Sequence, residues 1–188
     1  MVKLWRILFC SILTVLVGCA AKGNVYHDAN MDFAAIQSVA VLPFSNLTRD
    51  NLAAERVRDV FINKLLSTGA VYVLPAGEVA RGVATVDVQN PFSPSPEEIV
   101  KLGPIIKVQA VITGVVKEYG EVRSGTTSAN LISLSLQMIE TQTGKIVWTA
   151  STTKGGVSIL DRLFGGGGQP MNDVTDRAVN DLINKLFK

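Results

Sequence analysis

Apolar residues recur along this chain in two rhythms, and the changes between them mark out its elements. Ser38-Val39-Ala40-Val41-Leu42-Pro43-Phe44 is a short continuous apolar run, the pattern of a strand buried on both faces. Pro43 has no N–H to give a ladder, so it predicts the strand's end. Val57, Val60, Phe61 and Leu65 then return at helical spacing, with Asp50 or Asn51 as a candidate cap and Gly69 as the stop after Thr68. Val71-Tyr72-Val73-Leu74 reads as a second strand. Strand, helix and strand at this spacing predict a right-handed parallel crossover.

Gly77 to Pro94 is expected to be irregular, with Pro91, Pro94 and Pro96 clustered toward its end. Ser95-Pro96-Glu97-Glu98 is a capping box with Pro at the first helical position. The helix it opens is expected to reach Leu102 and to break or kink at Gly103-Pro104. Ala110 to Tyr119 reads as a third strand, followed by a polar link from Gly120 to Ser128. From Ala129 to Glu140 the rhythm is strict alternation. Ile132, Leu134, Leu136 and Met138 face one way, and Ser133, Ser135 and Gln137 the other, as in an antiparallel strand with one wetter face. Thr143-Gly144 turns the chain into Lys145 to Thr153 as a hairpin. After a loop, Val174, Ala178, Leu182 and Leu186 form the stripe of a closing helix from about Asn172 to Phe187. The order β-α-β-(α)-α-β-β-β-α predicts an α/β fold: a single mixed β-sheet of about five strands with helices packed on it. No internal repeat interrupts it.

The amino terminus follows a different logic. Lys3 and Arg6 precede the nearly all-apolar stretch Ile7 to Val17, and Leu16-Val17-Gly18-Cys19 follows. A basic start, an apolar stretch and a small residue before the cut describe a signal peptide. The stretch falls short of the roughly 20 apolar residues that a membrane span requires. Cys directly behind Leu-Val-Gly resembles a lipobox, the sequence that directs bacterial enzymes to diacylate the Cys and cleave before it. The expected organisation is therefore a lipoprotein signal peptide over residues 1–18, a lipid on Cys19, a short tether over 19–35 and one folded domain over 36–188. Ala20, rather than Asp, follows Cys19. Under the usual bacterial sorting rule this implies the outer membrane, with the domain on its periplasmic face.

Composition narrows the chemistry. The net charge of +2 comes from Lys3 and Arg6, so the mature chain is neutral. Neutrality without any Lys/Arg run gives no footprint for nucleic acid. Of the two Cys, Cys10 lies in the signal peptide and Cys19 would be acylated, so thiol chemistry and Cys-based metal sites are excluded. The single His, His27, falls in the tether, where it cannot be held against a nucleophile, and zinc sites drawing on His and Cys fail by count. Glu97 and Glu98 are accounted for by the helix start. Gly165 to Gly168 leads into Gln169-Pro170 rather than Lys-Ser/Thr, which makes it a flexible loop and not a phosphate loop. The pattern thus predicts no enzyme, no metal and no cofactor beyond the covalent lipid. Ile159, Leu160, Leu163 and Phe164 form the candidate interface. They either fold onto the protein's own core or present a patch to a neighbouring subunit or the membrane.

Val39-Ala-Val-Leu-Pro-Phe-Ser-Asn-Leu47 resembles the opening strand of TolB amino-terminal-like domains. Ala110-Val-Ile-Thr-Gly-Val-Val116, Leu134-Ser-Leu-Gln-Met-Ile139 and Thr143-Gly-Lys-Ile-Val-Trp148 resemble consecutive strands of the CsgG family, and Ala178 to Leu186 its last helix. The likeness runs from Ser38 to the carboxyl terminus. Where family members often carry Gly-Ala-Asp before the third strand, this chain has Lys107-Val108-Gln109. The resemblance implies a bacterial envelope lipoprotein of a superfamily that includes the curli secretion channel CsgG, the polysaccharide-export lipoprotein PelC and LpoB, an activator of penicillin-binding proteins. Transmembrane hairpins need strands of about 9–11 residues with an apolar outer face, and the polar links here do not supply them. The short tether also argues against a reach through the cell wall. The function implied is an oligomeric, PelC-like accessory of an export or envelope-assembly machine that contacts other envelope proteins. The alternative is an LpoB-like regulator of a cell-wall synthase.

Overall fold

The computed structural model describes residues 25–125, 127–157 and 168–187. In chain order these form β1 (Val25–His27), a 3-10 turn (Phe33–Ala35), β2 (Ser38–Val41), β3 (Ser45–Asn46), α1 (Ala53–Thr68), β4 (Tyr72–Val73), α2 (Ala76–Val86), α3 (Pro96–Ile106), β5 (Ala110–Ser124), β6 (Thr127–Glu140), β7 (Ile146–Gly155) and α4 (Met171–Leu186). One mixed seven-stranded sheet runs in the order β1-β7-β6-β5-β2-β4, with β3 pairing β5. β2 is parallel to β4 and β5, whereas β5, β6 and β7 form an antiparallel meander. Among the described residues no helix is long and apolar enough to cross a membrane.

The apolar run in β2 is continuous because it serves two cores. Val39 and Val41 join α1, α4 and the buried face of the meander around Phe61, Leu182 and Trp148. Ala40 and Leu42 join Val79 of α2 and Ile99 and Leu102 of α3 on the opposite face. The closing helix buries Val174, Ala178, Leu182 and Leu186 as its spacing requires. The first helix stops at Gly69, whose φ of 63° is one that a Cβ would resist.

The structure departs from the sequence reading in four places. Residues read as irregular contain α2, whose Val79, Val83 and Val86 pack into the second core. Gly82 hides this helix, because a Cβ there would come within 2.1 Å of the Ile106 side chain. The capping-box helix does form, with the Ser95 side chain accepting from the Glu98 N–H and the Glu98 carboxylate from the Ser95 N–H. However, it continues through Pro104 to Ile106 before Lys107 turns left-handed at φ 55°. Pro104 lies on the exposed side in the last turn, where one missing hydrogen bond does little harm. The supposed polar link after the third strand is itself strand. β5 and β6 pair from Ala110↔Glu140 out to Ser124↔Thr127, with one register shift between Val116 and Glu118. Last, the stretch read as a tether is folded from Val25 onward. β1 pairs with β7 through Val25↔Ala150 and His27↔Trp148. At three residues it was too short to show a period. β1 and β3 raise the expected strand number from about five to seven.

Candidate functional site

Cys19 and the group Ile159, Leu160, Leu163 and Phe164 lie outside the described residues, yet the residues that flank them are well placed. β1 starts at Val25, six positions after Cys19. A fully extended chain of that length spans at most about 20 Å. β1 runs antiparallel to β7, so the chain enters the sheet from the end where β7 finishes. The flanks of segment 158–167 meet at that same end. The Gly156 N–H donates to the Asn130 carbonyl at 2.8 Å, and the Asn130 side chain donates to the Gln169 carbonyl at 2.8 Å. Gly168 lies so close to Ala129 that a Cβ would come within 2.6 Å of its Cα. The candidate interface therefore leaves and rejoins the domain at one point on the β5–β6 hairpin.

This hairpin arm reaches beyond the rest of the sheet. β3 covers β5 only as far as Val116, whose carbonyl accepts from the Leu47 N–H at 2.9 Å. Past that point β5 pairs only with β6 among the described residues. β6 keeps β7 as a partner out to Leu131↔Gly155, so among the described residues only the tip from Glu121 to Asn130 is two-stranded. Such a ribbon is marginal on its own in water, and the exposed edge of β5 carries features that blunt it. The register shifts between Val116 and Glu118, Gly120 sits at φ 144°, and Glu118, Glu121 and Arg123 bring charge. The Glu121 carboxyl is held below its ordinary pKa by the Ser128 hydroxyl and then by Arg123. Leu47, 70% exposed, sits at the base of the arm, and Leu52 at the start of α1 is 51% exposed. These surfaces suit contact with another protein.

A charged clasp fixes α4 to β7. Asp181 accepts from Lys185 at 2.6 Å and pairs with Lys154 at 3.2 Å, while Lys185 also donates to the Ser151 carbonyl at 2.9 Å. Burial pushes the Asp181 carboxyl up, but hydrogen bonds from Lys185, Thr152 and Lys154 outweigh it and bring it to about 2. His27 stands edge-on to Phe33 with ring centroids 5.4 Å apart. Among the described residues no group of three or more His, Cys, Asp or Glu could hold a metal ion.

The sequence model of the peptidoglycan-synthase activator family LpoB matches residues 22–153. The chain belongs to the LpoB family. No curated protein sequence matches it. In three dimensions this LpoB-family domain is similar to the PelC dodecamer subunit from Paraburkholderia phytofirmans. The two are 18% identical over 87% of this chain and 97% of that one, with a TM-score of 0.57. It is also similar to lipoprotein GNA1162 from Neisseria meningitidis, at 22% identity over 78% of this chain and 98% of that one, TM-score 0.54. The hypothetical protein CT253 from Chlamydia trachomatis gives 15% identity, 80% and 95% coverage and a TM-score of 0.51. At these identities the likeness is one of fold.

Proposed function

We propose that this LpoB-family protein is an outer-membrane lipoprotein, anchored through acylated Cys19 on the periplasmic face, that acts without catalysis as an accessory of an envelope export or assembly machine. The observation that carries the reading is the start of the sheet six residues after Cys19. That spacing holds the domain within about 20 Å of its anchor. Each acyl CH₂ buried in the bilayer contributes about 0.8 kcal/mol, so several chains hold such a domain firmly at the surface. The polar hairpin arm supports a domain that lies on the membrane rather than crossing it, because Glu118, Glu121 and Arg123 leave no continuous apolar outer face. Self-association is supported by the fold shared with a PelC dodecamer subunit and by the surfaces gathered at the hairpin end. Native mass measurement of the full lipidated protein tests this, with a defined multimer expected.

A second reading, regulation of a cell-wall synthase by direct binding, is favoured by the family description. A monomer that raises the turnover of a purified penicillin-binding protein would replace the first reading with this one.

A further inference from the structure

α2 and α3 cover only part of one sheet face. Over β5, β6 and β7 the rest of that face is left uncovered by the described residues and forms a groove of about 470 Å³, a volume in the range of small-ligand sites. Its floor is a grid of uncharged hydrogen-bonding groups set by the register: Thr113, Gln137 and Thr149 in one row, Ser135 and Ser151 in the next. Strand spacing places such groups ~4.8 Å apart across strands and ~6.6 Å apart along them. Gln137 donates its amide to the Thr113 hydroxyl at 3.1 Å. Among the described residues, the Ser135, Thr149 and Ser151 hydroxyls have no hydrogen-bond partner. Phe92, 47% exposed, forms one wall. Tyr26, 48% exposed, stands opposite Thr149 on the same face and so borders the other side.

We propose that this groove binds a glycan chain. Hydroxyls that donate and accept equally match the alternating donors and acceptors of a sugar ring, and an aromatic face matches its apolar C–H face. Other occupants fit less well. Nucleic acid requires several cations, and Lys117 is the one charged residue lining the groove among the described residues. A protein interface is built around a dry apolar centre, whereas this centre is hydroxyl and amide. A bilayer surface requires a broad apolar or basic face, which the described residues of the groove do not present.

The test is calorimetric titration of the full-length protein with N-acetylglucosamine tetramer and with cellotetraose. Saturable binding of at least one is expected. Phe92→Ala and Tyr26→Ala should each weaken it about tenfold, whereas Ile105→Ala, an exposed apolar change on the outer side of α3, should leave it unchanged. All three variants alter exposed side chains and are expected to fold, which thermal melting checks. Absence of binding by both sugars at millimolar concentration would overturn the proposal, as would binding that survives both aromatic replacements. A change in assembly mass in Phe92→Ala, without sugar binding, would make the groove a protein contact instead.

Discussion

The Arg58 guanidinium on α1 closes the end of β2 by donating to the carbonyl of Val41 and, at 3.0 Å, to that of Leu42. β4 pairs only with Ser38 and Val39, so these carbonyls lie beyond its reach. Burial lowers the Arg58 pKa, and Asp59 and Glu55 partly offset it. Arg58→Met should destabilise the domain by about 1–3 kcal/mol, because the carbonyls lose their donor. Arg58→Lys should recover less than half, since an ammonium cannot fork. Urea unfolding reads both, and an unchanged midpoint in Arg58→Met would refute this role.

Asp181 gives stability a defined acid dependence. Its folded pKa of about 2 lies below the ordinary 3.8. The clasp therefore contributes fully above about pH 4 and is lost as pH falls from 4 toward 2. With the side chain 28% exposed, solvent screening limits the contribution to the order of 1 kcal/mol. Asp181→Asn should remove that part of the acid slope while changing stability least below pH 2. Equal slopes for both proteins between pH 2 and 4 would count against the clasp.

Gly82 sets the separation of α2 and α3. Gly82→Ala would gain helix propensity of about 1 kcal/mol, but its Cβ meets the Ile106 branch methyl at 2.1 Å. Net destabilisation of about 1–2 kcal/mol is expected. Ile106→Leu, which moves the branch outward, should lessen the penalty in a double-mutant cycle. Additive effects by thermal unfolding would show that the two residues are not in contact.

Distance from the anchor should matter for function. A Gly/Ser insertion of about 20 residues between Asn24 and Val25 adds roughly 25 Å of average reach without touching the sheet. Membrane attachment should persist while the cellular role is lost. Full function in cells carrying the insertion would show that proximity is dispensable.

How much of this was legible in the sequence varied with the length and company of each element. β6 and α4 were plain, because long stretches with one buried face keep a clean period, and β2 was plain because both its faces are buried. α2 entered the expected order only as a bracketed helix in an irregular stretch, because glycine fills the contact position where a large apolar residue would have completed the stripe. β1 was missed because its place depends on β7, more than a hundred residues away in the chain. The length of the hairpin arm was missed because Gly120, Glu121, Arg123 and Gly125 make its outer part look like loop. The Cys19 reading rests on its motif alone, while the groove between Phe92 and Tyr26 was not legible, since the α2–α3 loop places Phe92 and the sheet register places Tyr26 on the same face.

The central claim is that a Cys19-linked lipid holds an assembling domain at the membrane surface. Native mass spectrometry of the full protein extracted from membranes tests it most directly. The account predicts a multimer whose subunits begin at Cys19 and carry acyl chains there. Bare monomers that retain residues 1–18 would contradict it.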